Sequence, residues 1–210
     1  MRIAIIGGSK GIGLAVAHEA LARGHEVVIV SRSDPRLIQD GVRWLGGDAR
    51  DATVLERALD GASAVVTALG VTQTWQTTNL FSQAQVGLNR AMDNAGLKRT
   101  VLVTGLGAGD SRGHQGWLYD NVLFPVFLAR SYADKDRAEA ILQKSDLDWT
   151  IVRPGRLTNG PKKNKIDVLL TPETYRYGSI SRADVAAFIM DCIEKGAYLR
   201  QTPQIVDRKS

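Results

Sequence analysis

The chain has 210 residues, 44% apolar and 23% charged, with a single cysteine and a formal charge of +5. That length supports one hydrophobic core and falls short of two ordinary domains, while a lone cysteine excludes an internal disulfide and argues against metal or thiol chemistry. The positive charge is spread along the sequence, and its densest point, Lys162-Lys163-Asn164-Lys165, is short and follows Gly160-Pro161, which predicts a solvated loop and no nucleic-acid surface.

Apolar runs of strand length alternate with stretches of helical period, the mark of an α/β fold: a single-domain doubly wound parallel sheet with helices on both faces. Residues 3–6 read as the first strand, and Leu14, Val16, Ala17 and Leu21 as the buried stripe of a helix closed by Gly24. Residues 27–30 and 42–45 are the next two strands, followed by a helix over 51–59 whose Asp51 can cap the first amides. Residues 64–69 form the fourth strand. A helix over 83–95 stops at Gly96 before a fifth strand at 100–104. The stretch 117–142 is helical but interrupted near Pro125. Residues 149–152 make the sixth strand, which Arg153-Pro154-Gly155 is expected to break, and 155–179 reads as an irregular excursion outside the carboxyl edge of the sheet. Ser181 then caps a helix to about Lys195, with Val185, Phe188, Ile189, Cys192 and Ile193 in its apolar pattern, and 203–206 predicts an edge strand. No apolar run approaches membrane-spanning length, and the apolar run before the first glycine is only four residues long, too short for a signal peptide. The expectation is a soluble, cytoplasmic protein with no membrane partner.

The first strand runs straight into Gly7-Gly8-Ser9-Lys10-Gly11-Ile12-Gly13, with glycines spaced G-x-x-x-G-x-G and a helix starting at once. A dinucleotide diphosphate must approach the main chain closely, in dihedrals that a side chain would forbid, and the first amides of the following helix then face the phosphates with a favourable dipole. An NAD-selective site usually carries an acid at the end of the second strand. Here stands Ser31-Arg32-Ser33, a guanidinium flanked by hydroxyls that suits an adenosine 2′-phosphate, with Lys10 as a second cation. NADP(H) is therefore expected over NAD(H), and no metal.

These motifs, together with Gly47-Asp48-Ala49, Val103-Thr104-Gly105 and Thr150-Ile151-Val152-Arg153-Pro154-Gly155, resemble the short-chain dehydrogenase/reductase superfamily over nearly the whole chain. The resemblance is to its atypical NAD(P)H-binding branch, which includes flavin and biliverdin reductases and NmrA-like proteins. It implies that Asp48 and Ala49 lie by the adenine and that Ala68, Leu69 and Gly70 pass under the adjoining ribose. Thr104, Gly105, Lys135 and Pro154 would surround the nicotinamide ribose and ring.

The superfamily's catalytic Tyr-x-x-x-Lys pair is not intact. Four positions before Lys135 stands Ser131, and Tyr132 is three positions away, still on the same helical face. The serine and histidine of the flavin and biliverdin reductases are replaced by Gly105 and Gly155. Without a complete acid-base set, reduction of a simple ketone is disfavoured, whereas a flavin, quinone or related conjugated acceptor takes hydride with little assistance. Candidate catalytic residues are thus Lys135, Tyr132, Thr104 and, in the glycine-rich loop 107–114, His114, with Arg112 available for an anionic substrate and Trp75 and Leu157 as walls. Two alternatives stand beside this reading: a non-catalytic NADP(H)-binding sensor of the NmrA-like type, and an epimerase or isomerase that retains its cofactor.

Overall fold

Strands covered on both faces carry unbroken apolar runs instead of alternating ones. Such strands form the middle of the sheet in the computed structural model, which describes residues 1–37, 40–70, 79–111 and 129–208, the side chains of 110 and 129–131 apart. They are β1 (Arg2–Ile6), β2 (Glu26–Ser31), β4 (Ala64–Thr67), β5 (Arg99–Val103) and β6 (Asp148–Pro154). With β3 (Val42–Gly46), β8 (Ile166–Leu169) and β10 (Gln204–Asp207) they complete an eight-stranded sheet in the order β3-β2-β1-β4-β5-β6-β10-β8. All neighbours are parallel except β8, which runs antiparallel to β10.

The period-two alternation of a strand decides what each side chain meets. From β1, Ile3 and Ile5 join the core under α1 (Gly11–Ala22) and α5 (Arg182–Glu194), packed with Val16, Val185 and Ile189. Ala4 and Ile6 join the opposite core under α2 (Ala52–Leu59), α3 (Leu80–Asn94) and α4 (Ala129–Gln143), with Leu55, Leu88, Met92 and Leu142. Each buried aliphatic side chain is worth about 1.5–3 kcal/mol. A one-residue slip would exchange the two faces of a strand, so the register is strongly specified.

Three expectations need correction. Strand β6 does not stop before Arg153-Pro154 but runs through both. The amides of Arg153 and Gly155 donate to Pro203 and Ile205 on the β10 side. The missing N–H of Pro154 falls on the β5 side, past the last β5–β6 pair at Val103 and Val152, where no strand asks for it. Residues 204–207 are not an edge, because Ile166–Leu169, within the stretch read as irregular, pairs outside them. Four half-buried residues are too few to announce a period. The same stretch supplies a two-stranded parallel ribbon, β7 (Arg156–Thr158) with β9 (Ser179–Ser181).

Helix α3 starts three residues before its predicted beginning because its cap is tertiary. The buried Asp134 of α4 accepts the Phe81 amide at 2.9 Å and the Ser82 amide at 3.3 Å. Local caps match the sequence: Asp51 accepts the Thr53 amide at 2.9 Å and Ser181 that of Asp184 at 2.9 Å. The kink expected near Pro125 lies outside the described residues. Burial pushes the Cys192 thiol up to about 12, in keeping with a packing role. Among the described residues no helix is long and apolar enough to cross a membrane, and no cluster of three His, Cys, Asp or Glu could hold a metal.

Candidate functional site

The strand order reverses between β1 and β4, and in such sheets ligands bind outside the carboxyl ends of the strands at that point. A cavity of about 810 Å³ lies there, walled by the segments that follow β1 through β5 and by β7.

Its floor is the glycine turn. Gly7 has φ +96°, and a Cβ there would stand 2.7 Å from the Ala68 carbonyl oxygen; one on Gly13 would stand 2.3 Å from the Gly7 carbonyl. Bare glycines thus let β1, β4 and the first turn of α1 close onto one another. Gly7, Ser9, Lys10, Gly11 and Ile12 border the cavity, whereas Gly8, buried against Ile5 and Ile29, and Gly13 shape it from behind. Helix α1 begins with no side-chain cap on its amides, which leaves its positive end available for an anion.

At one end stand Ser31, Arg32, Ser33, Gly47, Asp48 and Ala49. The Ser31 hydroxyl donates to the Ser33 carbonyl at 2.8 Å and accepts from the Trp44 indole at 3.1 Å, so it braces the turn. Arg32 and Ser33 are exposed at the rim. Asp48 takes both arms of Arg50, at 2.9 and 2.7 Å. That fork, opposed by partial burial and helped by the charge of Arg32, holds its carboxyl at about 2. Ala68, Leu69 and Gly70, after β4, line the middle.

The other end is assembled from β5, α4 and β7: Val103, Thr104, Lys135 and Leu157 line it, with Leu80 from the start of α3. Lys135 Nζ donates to the Thr104 carbonyl at 3.0 Å and sits 4.6 Å from the Tyr132 ring centroid and 5.5 Å from that of Phe81. Burial draws its ammonium down to about 8, against the pull of the Glu139 and Asp136 carboxylates. The Thr104 hydroxyl donates to Glu139 at 2.6 Å, so it presents only lone pairs to the cavity. Behind it Glu139 and Arg153, 2% and 1% exposed, form a two-point ion pair with contacts of 2.6 and 3.2 Å.

Tyr132 does reach this corner: a Cβ on Gly105 would lie 3.2 Å from its hydroxyl. The described residues lining the cavity do not include Tyr132, Gly105 or Pro154. The Ser131 side chain, His114, Arg112 and Trp75 lie outside the described residues. Of the loop 107–114, the described part folds back on itself and onto α4, with Gly107 N donating to Ser111 Oγ at 2.8 Å and Gly109 N to Asp136 at 2.7 Å.

Sequence reasoning missed Glu139, Arg153, Asn159 and Arg182. Two signals were present: Glu139 follows Lys135 by one helical turn, and Arg153 is a charge inside an otherwise apolar strand. Nothing local marks Asn159 or Arg182, which border the cavity through the β7–β9 ribbon.

A turn that brings bare main chain to a helix start, beside a cavity of about 810 Å³, fits a dinucleotide. The pattern of an NAD(P)H-binding family matches residues 7–196. The chain belongs to this NAD(P)H-binding family. Among its relatives a chloroplastic protein of Arabidopsis thaliana is 30% identical, over 80% of this chain and 55% of its own length. The photosystem II assembly factor Ycf39 of Synechocystis is 25% identical, over 100% of this chain and 64% of its own. The chain therefore spans between half and two-thirds of the length of these curated relatives. ChuY, an anaerobilin reductase from Escherichia coli O157:H7, has a solved structure that superposes with a TM-score of 0.81 at 29% identity, covering 100% of this chain and 98% of that one. The NAD(P)H-binding family thus includes reductases of the atypical short-chain type.

Proposed function

We propose that the protein is an NADPH-dependent reductase that passes hydride to a flavin, quinone or related conjugated acceptor. The observation that carries this reading is Lys135: an ammonium drawn toward neutrality, fixed at the inner end of the cavity between an apolar wall and Thr104. When bound, the nicotinamide cofactor supplies the hydride. The main chain of residues 7–12 and the free start of α1 hold the diphosphate, and Arg32 holds the 2′-phosphate. Thr104 orients the nicotinamide ribose by accepting from it, since its own proton is engaged by Glu139. Leu80 and Leu157 exclude water from the face on which the acceptor stacks. Lys135 donates a proton to the nitrogen or oxygen that gains charge as the acceptor is reduced.

The likeness to an anaerobilin reductase supports a conjugated acceptor of this kind. The test is NADPH oxidation, followed by absorbance, with riboflavin phosphate (FMN) or a small quinone as acceptor. Acceptor-dependent turnover is expected; a protein that binds NADPH yet stays inert with each acceptor would favour the sensor reading. The cofactor preference has its own check: Arg32→Ala should weaken NADPH more than NADH by about 1–3 kcal/mol in calorimetry, and equal losses would remove the 2′-phosphate assignment.

A further inference from the structure

The β7–β9 ribbon is short, yet it does one thing of consequence. Its register pairs Leu157 with Ile180 and Thr158 with Ser181, so the next residues, Asn159 and Arg182, emerge side by side on the cavity. Arg182 Nη1 donates to Asn159 Oδ1 at 2.6 Å. The root of Arg182 is fixed from below: Ser181 caps α5, and the buried Asp184 accepts the Ser181 hydroxyl at 2.7 Å together with the amides of Lys163 and Asn164 at 2.9 and 2.8 Å.

The partner of this guanidinium carries no charge. Arg23, Arg50, Arg153, Arg176 and Arg208 each meet a carboxylate. Arg182 is oriented by a neutral amide, and among the described residues it forms no ion pair. A guanidinium has five N–H donors, and a single neutral acceptor engages one while leaving the charge uncompensated. Asp48, the only carboxylate among the described residues lining the cavity, lies across it and is already forked by Arg50. An arginine pre-aimed by an asparagine beside an apolar wall is built to receive a planar or tetrahedral oxyanion.

Resting on the reductase reading, we infer that Arg182, steadied by Asn159, recognises an anionic arm of the acceptor, a carboxylate or a phosphate, while Leu157 meets its conjugated body. The diphosphate and the 2′-phosphate already have their own partners, in the turn of residues 7–12 and in Arg32.

The experiment uses matched acceptors that differ only in the anion. FMN and riboflavin share one ring system, as do biliverdin and its dimethyl ester, and the two pairs separate phosphate from carboxylate. For wild-type protein, kcat/KM should favour the anionic member of at least one pair by roughly 10- to 100-fold, the range of a charge-assisted contact. Arg182→Gln should collapse that ratio toward one, and Asn159→Ala should lower it partway. A wild-type ratio near one in both pairs overturns the inference, as does an Arg182→Gln loss that falls on the NADPH KM, which would make Arg182 a cofactor ligand. If wild type reduces none of the four and no small quinone, the reductase reading fails, and binding decides the clamp separately. Titrations of the NADP⁺-loaded protein, flavins by fluorescence and the biliverdin pair by absorbance, would then show the anionic member of at least one pair held more tightly than its neutral counterpart, or, if both pairs bind equally, dispose of the clamp.

Discussion

The two ends of the cavity are made of different material. The end proposed for the phosphates is main chain: glycines 7, 11 and 13, an uncapped helix start, and strands whose neighbours approach within the width of an absent Cβ. The end proposed for the reaction is side chain: Thr104 just after β5, Lys135 and Glu139 from α4, Arg153 from β6, joined by hydrogen bonds across 14 to 35 positions of sequence. Main-chain geometry forgives substitution wherever glycine is kept, whereas a buried polar network fails when any one member is removed.

The largest effect that would test this contrast is on stability. Glu139→Gln takes the negative charge out of the buried two-point pair with Arg153, and should cost about 3–5 kcal/mol in denaturant unfolding. Replacing the pair together by Leu and Met should recover much of that stability but not the turnover, because Thr104 would lose the acceptor of its proton. Recovery of both would reduce the pair to packing.

Next comes Lys135→Met, expected to lower turnover by about 100- to 10,000-fold as for loss of a general acid, with NADPH affinity by calorimetry much less affected. If turnover survives, the proton comes from elsewhere.

At the phosphate end, Gly13→Ala forces a methyl against the Gly7 carbonyl and should cost about 1–3 kcal/mol, as other overpacked positions do. A thermal shift measured with and without NADPH would show the ligand's stabilisation shrinking as well.

The smallest effect is on pH dependence. With the protonated amine as the proposed donor, turnover should fall as pH rises through about 8. Asp136→Asn removes a charge that favours the ammonium, so the midpoint should move down, by less than about one unit. An upward or absent shift would contradict Lys135 as the titrating group.

This contrast also explains what could be read in advance. The first strand, the glycine turn, α1 and the two-faced burial of the central strands are local patterns, and each is present within a dozen consecutive residues. Arg32 was legible for the same reason, although Ser31 proved to brace the turn through Trp44 and Ser33. The reacting end was legible only in part. Lys135 and Thr104 came from motif resemblance, but Glu139 became meaningful only when folding set it against Arg153. Arg182 entered through the pairing of two three-residue strands 23 positions apart, which no periodicity announces. The early start of α3 has the same origin, a cap donated from 52 and 53 positions away by Asp134.

Cys192 gives the molecule a built-in clock. It is the only thiol in the chain, wholly enclosed on the inner face of α5, and burial holds it in the thiol form, leaving very little of the nucleophilic thiolate at neutral pH. Alkylating reagents and peroxides should therefore bypass the native protein and count, one event per molecule, only those copies whose α5 has lifted from the sheet.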